Sequence, residues 1–192
     1  KKLNIESLDL SGGCAMNSLA NGKIKEKTNF QNIYIQPAAY DAGCPLGSVA
    51  LQLNKFNKKR FILSNYLGDS FNNNECEKII KNKKLFNNKN FAVNFIDNDN
   101  FYDYLSELII KNKIVGFFQG KLEWGARALG NRSIICDSRN KDMKDILNKK
   151  IKRRESFRPF APIIMSEKVS EWFETSDDID SMMQVHKVKK EK

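Results

Sequence analysis

The chain has 192 residues, with 33 Lys and Arg against 23 Asp and Glu for a net charge of +10, and 41% of its residues are hydrophobic. That length and apolar content suffice for one large or two small packed domains. No apolar run approaches the roughly 18–20 residues of a membrane span, and no charged-then-apolar leader is visible, so the expectation is a cytoplasmic protein with no membrane partner. The excess positive charge predicts an anionic partner, which could be nucleic acid, a membrane surface or a phosphorylated small molecule.

Taken in chain order, "SLDLS" reads as a short strand, Gly12-Gly13 as a tight turn, and Ala15 to Ile24 as a helix. "NIYIQPAAYDAGCPLGSVALQLNKF" repeats the unit: a strand at Ile33 to Ile35, a loop with Pro37, Asp41 and Gly43, and a helix from about Pro45, a residue favoured in a first turn. Two successive strand-turn-helix units predict an α/β layer. Asn54 to Asn74 turns polar and reads as a connection between domains. Beyond it, "NNECEKIIKNKKL" and "FYDYLSELIIKNK" have helical spacing, and "IVGFFQG" is a buried strand. "SIICDSR" is another strand, "NKDMKDILNKKIKRRESF" a helix with a basic end, and "RPFAPIIM" an extended path in which two prolines exclude a helix. "SEKVSEWFE" predicts a last helix, and "MMQVHKV" the start of a strand. Both ends read as interruptions of a longer polypeptide.

Cys14, Cys44, Cys76 and Cys136 are widely spaced, without a CxxC pair, and His186 is the single histidine. Zinc sites and disulfide frameworks need closer or paired ligands, so ordinary free thiols are expected.

Three features permit chemistry. The Gly12-Gly13 turn puts flexible amides at the mouth of a helix, where a phosphate can be held, although a plain tight turn needs no ligand. Asn17 and Asn21 on the next helix could reach such a ligand or lie on the surface. Asp41 stands at the carboxyl end of a strand, where α/β sheets place ligands; it could hold a metal or cap a helix. From Lys121 to Arg158 the sequence offers Lys121, Arg127, Arg132, Arg139, Lys149, Lys150, Lys152, Arg153, Arg154 and Arg158, several of them beside Trp124, Phe157 and Phe160. Arginine in a glycine-shaped loop suits bidentate capture of phosphate or carboxylate. A nucleic-acid face would use the same residue types along a wider track. The neighbouring Gly125, Gly130 and Pro159 favour a shaped pocket.

"GKLEWGARALGNRSIICDSR" followed by "LNKKIKRRESFRPFAPIIM" resembles the signature of the NodU/CmcH-type O-carbamoyltransferases. "LSGGCAMNSLANGKI", "IYIQPAAYDAGCPLGSVAL" and "NYLGDSF" resemble the end of that family's first domain and its inter-domain segment, in the same order. The resemblance implies an α/β chain: a partial actin/sugar-kinase-like layer followed by a YrdC-like twisted mixed sheet with helices. The expected divisions are 1–54 for the end of the first domain, 55–74 for a linker and 75–192 for an incomplete second domain. It also implies a two-step reaction, in which ATP and carbamoyl phosphate give carbamoyl-adenylate and the first domain passes the carbamoyl group to a hydroxyl of a small-molecule acceptor.

By the same resemblance, Lys121 and Arg127 hold carbamoyl phosphate or the adenylate and act in catalysis. Arg132, Lys152, Arg154 and Arg158 match other basic positions assigned to the same anion. Gly12, Gly13 and Asn17 match the nucleotide-side turn, and Asp41 matches a metal-ligating aspartate for iron(II); Mg2+ with the nucleotide and a homodimer are also compatible with the family. The sequence departs at Ala126, where proline is common, at Tyr40, where glycine is common, and at Arg153, where an aromatic residue is common. The histidines that complete the iron site are expected upstream of Lys1, and further arginine-bearing strands beyond Lys192. The competing readings are a basic YrdC-like nucleic-acid-binding module and a fragment that is inactive by itself.

Overall fold

The structure, a computed structural model, describes residues 5–57, 64–83 and 89–192. The chain forms two compact units. The first comprises residues 1–67, 123–129 and 163–192, and the second residues 68–122 and 130–162.

In the first unit, strands β1 (Ser7–Leu10) and β2 (Asn32–Ile35) pair in parallel, with Leu8 beside Ile33 and Leu10 beside Ile35. Alternation along each strand turns those four apolar side chains to one face. Three of them join a small core: Ile35 lies in it with Ala15, Ala39 and Met183, and Leu10 and Ile33 flank it together with Met16. The segment read as one helix from Ala15 to Ile24 is in fact three short pieces: a 3-10 turn at Gly13–Met16, α1 (Ser18–Asn21) and α2 (Ile24–Lys27). Asn17 accounts for the first break, because its side chain accepts from the Ala20 amide and starts a new helix; a local side-chain bond of this kind competes with helix continuation. Gly22 marks the second break. It lies against the Val185 backbone so closely that a Cβ would meet the Val185 carbonyl oxygen at 2.0 Å.

A 3-10 turn at Asp41–Gly43 leads directly into α3 (Cys44–Asn57), with Pro45 in the first turn as expected. Of the polar connection 55–74, residues 58–63 lie outside the described residues, as does the end of "NNECEKIIKNKKL" from residue 84 onward. The late part of the unit contains a 3-10 turn at Ser166–Lys168 and α7 (Val169–Trp172). The strand expected at "MMQVHKV" is reduced to a single bridge between Phe173 and Val188. Met182, the first residue of that stretch, has a positive φ of 53° and so is not extended.

In the second unit, α4 (Asn73–Asn82) begins with a complete capping box: the Asn72 side chain accepts from the Glu75 amide and the Glu75 carboxylate accepts from the Asn72 amide. Helix α5 (Asn98–Ile110) stacks Phe101 on Phe117, with ring centroids 6.2 Å apart. Strands β3 (Val115–Phe118) and β4 (Arg132–Ile135) are antiparallel, with Val115 opposite Ile135 and Phe118 opposite Arg132. After β4, α6 (Met143–Ile146) widens into a π turn at Leu147–Lys152 and stops at Arg153 in the left-handed region. Met143, Leu147 and Asn148 are buried. Among the described residues the fold is therefore mixed α/β with two small sheets, one parallel and one antiparallel.

Candidate functional site

Within the first unit, the segment 123–129 is a loop closed on itself. Glu123, 5% exposed, accepts from the Leu129 amide through Oε1 at 2.9 Å, and Tyr66 donates its hydroxyl to the Leu129 carbonyl. Gly125 has φ +105°, and a Cβ there would stand 2.8 Å from the Pro37 carbonyl oxygen. Both the dihedral and the close approach exclude a larger residue. This closure aims Arg127 at the turn Gly13–Met16, where its Nη2 donates to the Met16 carbonyl at 3.3 Å across a sequence separation of 111 residues. Its Nε is buried and has no hydrogen-bond partner among the described residues. An unsatisfied donor on a buried charged group is costly, and such groups cluster where a ligand or catalytic role supplies the missing partner.

Gly12, with φ +96°, and Gly13 have open space where a Cβ would be. Of the sequence candidates in this unit, Arg127 thus reaches the far end of the turn that Gly12 precedes and Gly13 opens, through the Met16 carbonyl. Asn17 adjoins it and caps α1. Asn21, which could have reached a ligand, instead is 4% exposed and donates to the Ala15 and Met183 carbonyls. Asp41 is exposed and opens a 3-10 turn, and among the described residues no group of three His, Cys, Asp or Glu side chains is placed to hold a metal. A single exposed carboxylate does not fit iron(II).

In the second unit, Lys121 is exposed while its backbone is pinned: it bridges to Ser70, and its carbonyl accepts from Asn131 Nδ2 at 2.6 Å. Arg132 opens β4, and Lys152 ends the π turn; both are exposed. Arg154 is half-buried, with Nε on Asn148 Oδ1 at 2.7 Å, Nη2 on the Pro159 carbonyl at 3.4 Å and its guanidinium 4.8 Å from the centre of the Phe160 ring. Arg158 is exposed and donates through Nε to Glu155 at 2.7 Å. The Glu155 carboxyl is held below the usual range by a hydrogen bond from its own backbone amide and then by Arg158. Arg139, which the basic count included, is committed elsewhere: it grips Asp137 through Nε and Nη2, at 2.7 Å for the shortest contact. That grip and the Arg139 amide hold the Asp137 carboxyl at about 2.

Two residues that hold these loops in shape carried no signal as site residues in the sequence. Glu123 was one acid in a basic motif, and Asn148 one asparagine among many.

The family model of the carbamoyltransferase N-terminus matches residues 1–50, and that of the carbamoyltransferase C-terminus matches residues 106–192. The chain is 37% identical over 198 aligned positions to protein sll1178 of Synechocystis sp., an alignment covering 100% of this chain and 32% of that protein. It is 34% identical to nodulation protein NolO of Bradyrhizobium diazoefficiens over 180 positions, covering 92% of this chain and 32% of NolO. With 3'-hydroxymethylcephem-O-carbamoyltransferase of Streptomyces clavuligerus it shares 26% identity over 185 positions, covering 96% of this chain and 33% of that enzyme. The two matched models are the two ends of one class of protein, the carbamoyltransferases. The chain belongs to the NodU/CmcH-type carbamoyltransferase family. It spans about a third of the length of these curated relatives.

Proposed function

We propose that the protein to which this chain belongs is an ATP-dependent O-carbamoyltransferase. Carbamoyl phosphate yields carbamate and orthophosphate by hydrolysis. A carbamate oxygen then attacks the α-phosphorus of ATP, forming carbamoyl-adenylate and expelling pyrophosphate. In the second step an acceptor hydroxyl attacks the carbamoyl carbon, AMP leaves with the bonding electrons, and the hydroxyl proton passes to base or solvent. The acceptor class is a hydroxylated small molecule, by analogy with the cephem in the name of one relative. Residues 1–54 would form the end of an actin/sugar-kinase-like domain, 55–74 a linker and 75–192 part of a YrdC-like domain.

Attack of an anion on a polyanion needs cations fixed in advance, because pre-oriented charge stabilises the transition state without reorganisation. Within the second unit, Lys121, Arg132, Lys152, Arg154 and Arg158 are assigned to carbamoyl phosphate or the adenylate; within the first unit, Arg127 is assigned to the same class of ligand. Gly12, Gly13 and Asn17 would approach the nucleotide, which would arrive with Mg2+. No step is assigned to iron(II), since Asp41 alone does not fit it.

The observation that carries this reading is Arg127: a family-motif arginine directed by a closed loop onto the glycine turn, with a buried donor still lacking an acceptor. The test is pyrophosphate release from ATP by the full-length protein, with and without carbamoyl phosphate. Release that depends on carbamoyl phosphate supports it; release indifferent to carbamoyl phosphate refutes it.

A further inference from the structure

Asn148 is the one large side chain in the described residues that is fully buried, at 0% exposure, and it is polar. A buried amide is tolerated only when its donors and acceptor are used. Asn148 spends them all on one loop. Its Nδ2 donates to the Ser156 carbonyl at 3.2 Å and the Arg158 carbonyl at 2.9 Å, and its Oδ1 accepts from Arg154 Nε at 2.7 Å. Its backbone carbonyl takes the Arg153 and Arg154 amides as well. The π turn is what makes this possible. One extra residue per turn carries the chain to Arg153, which adopts φ 48°, ψ 54°, a left-handed conformation that a non-glycine residue holds only when its surroundings enforce it.

The consequence falls on Arg154. A guanidinium has five N–H donors in a rigid plane. Asn148 and Pro159 take two, and Phe160 covers one face. Among the described residues the other donors have no protein acceptor, so a rigidly held edge is left to face an anion. Arg154 is one of the residues proposed above for carbamoyl phosphate. We propose that Asn148 is a positioning residue that fixes the plane of the Arg154 guanidinium for binding carbamoyl phosphate. This rests on the functional reading given above.

The test uses steady-state pyrophosphate release by the full-length protein and its variants Asn148→Ala, Arg154→Ala and the double variant. Asn148→Ala should raise the KM for carbamoyl phosphate about tenfold, the scale of one hydrogen bond to a charged group, while the KM for ATP and kcat stay within about twofold. The double variant should be no worse than Arg154→Ala alone, because the two residues act in series. Additive losses, or an equal rise in both KM values, would overturn the proposal. If Asn148→Ala does not fold, Arg154→Lys carries the test: it keeps the charge but loses the Nε–H and the planar fork, so the same rise is expected, and an unchanged KM overturns it. If the unaltered protein ignores carbamoyl phosphate, that failure belongs to the functional reading. The positioning is then judged by the Arg154 Nε–H resonance, which should be protected from solvent exchange in the parent and lose that protection in Asn148→Ala. Protection that survives the substitution overturns the proposal.

Discussion

Asp137 and Arg139 sit two residues apart just after β4, and their pairing sets a pH dependence that can be stated with its sign. Hydrogen bonds from Arg139 hold the folded-state carboxyl at about 2, against about 3.9 for an unperturbed aspartate. A depressed folded value means that the contribution to stability is present above roughly pH 4 and is lost as pH falls toward 2. The Asp137 resonance should therefore titrate near 2, and Arg139→Ala should move it up into the ordinary range; an unmoved midpoint would contradict the assignment. The basic residues themselves were legible in sequence, but their commitments were not. Arg127 and Arg139 belong to the same basic stretch, yet one is directed onto the Gly13–Met16 turn and the other is consumed by a neighbouring carboxylate. Which partner an arginine takes depends on backbone geometry that residue type does not encode. Asn148 shows the same limit: an interior amide and a solvent-facing asparagine are spelled identically.

Elements were more readable than contacts, because hydrophobic periodicity and caps are local. The alternation in β1 and β2, the start of α3 near Pro45 and the strands on either side of "GKLEWGARALGN" could all be read directly. The Ala15–Ile24 helix was over-read, because Asn17 is a cap that starts a new helix and Gly22 is packed against the Val185 backbone, and neither role shows in the spacing of apolar residues. Two outcomes belong to this scale. Asn72→Ala removes half of the α4 capping box and should cost about 1 kcal/mol in denaturant unfolding; no change would mean that the box does not form. Gly125 and Gly130 both have positive φ, but only Gly125 has a backbone atom in the way of a Cβ. Gly125→Ala should therefore destabilise more than Gly130→Ala, by about 1 kcal/mol or more, since overpacking adds to a shared dihedral cost. Equal midpoint shifts in the two variants would argue against the contact with Pro37.

At the scale of the whole molecule, a family signature and a charge of +10 both came from the sequence, but only the signature was specific. The assembly of residues 123–129 with 1–67 had no local signal, because it depends on pairings such as the Trp124 amide with the Asn65 carbonyl, far apart along the chain. No helix among the described residues is long and apolar enough to cross a membrane. Charge alone would suit a nucleic-acid partner, and that alternative predicts an affinity that falls steeply with salt in proportion to the phosphates neutralised. An enzyme holding a small anion in fixed arginines predicts weak RNA binding, no tighter than that of an unrelated protein of equal charge. The most direct test is carbamoyl-phosphate-dependent pyrophosphate release by the full-length protein carrying Lys121→Ala or Arg127→Ala. The account predicts that each substitution lowers kcat/KM by about a hundredfold or more, as expected for loss of a preorganised cation, with the fold intact. Release that continues at the unaltered rate in either variant would contradict it.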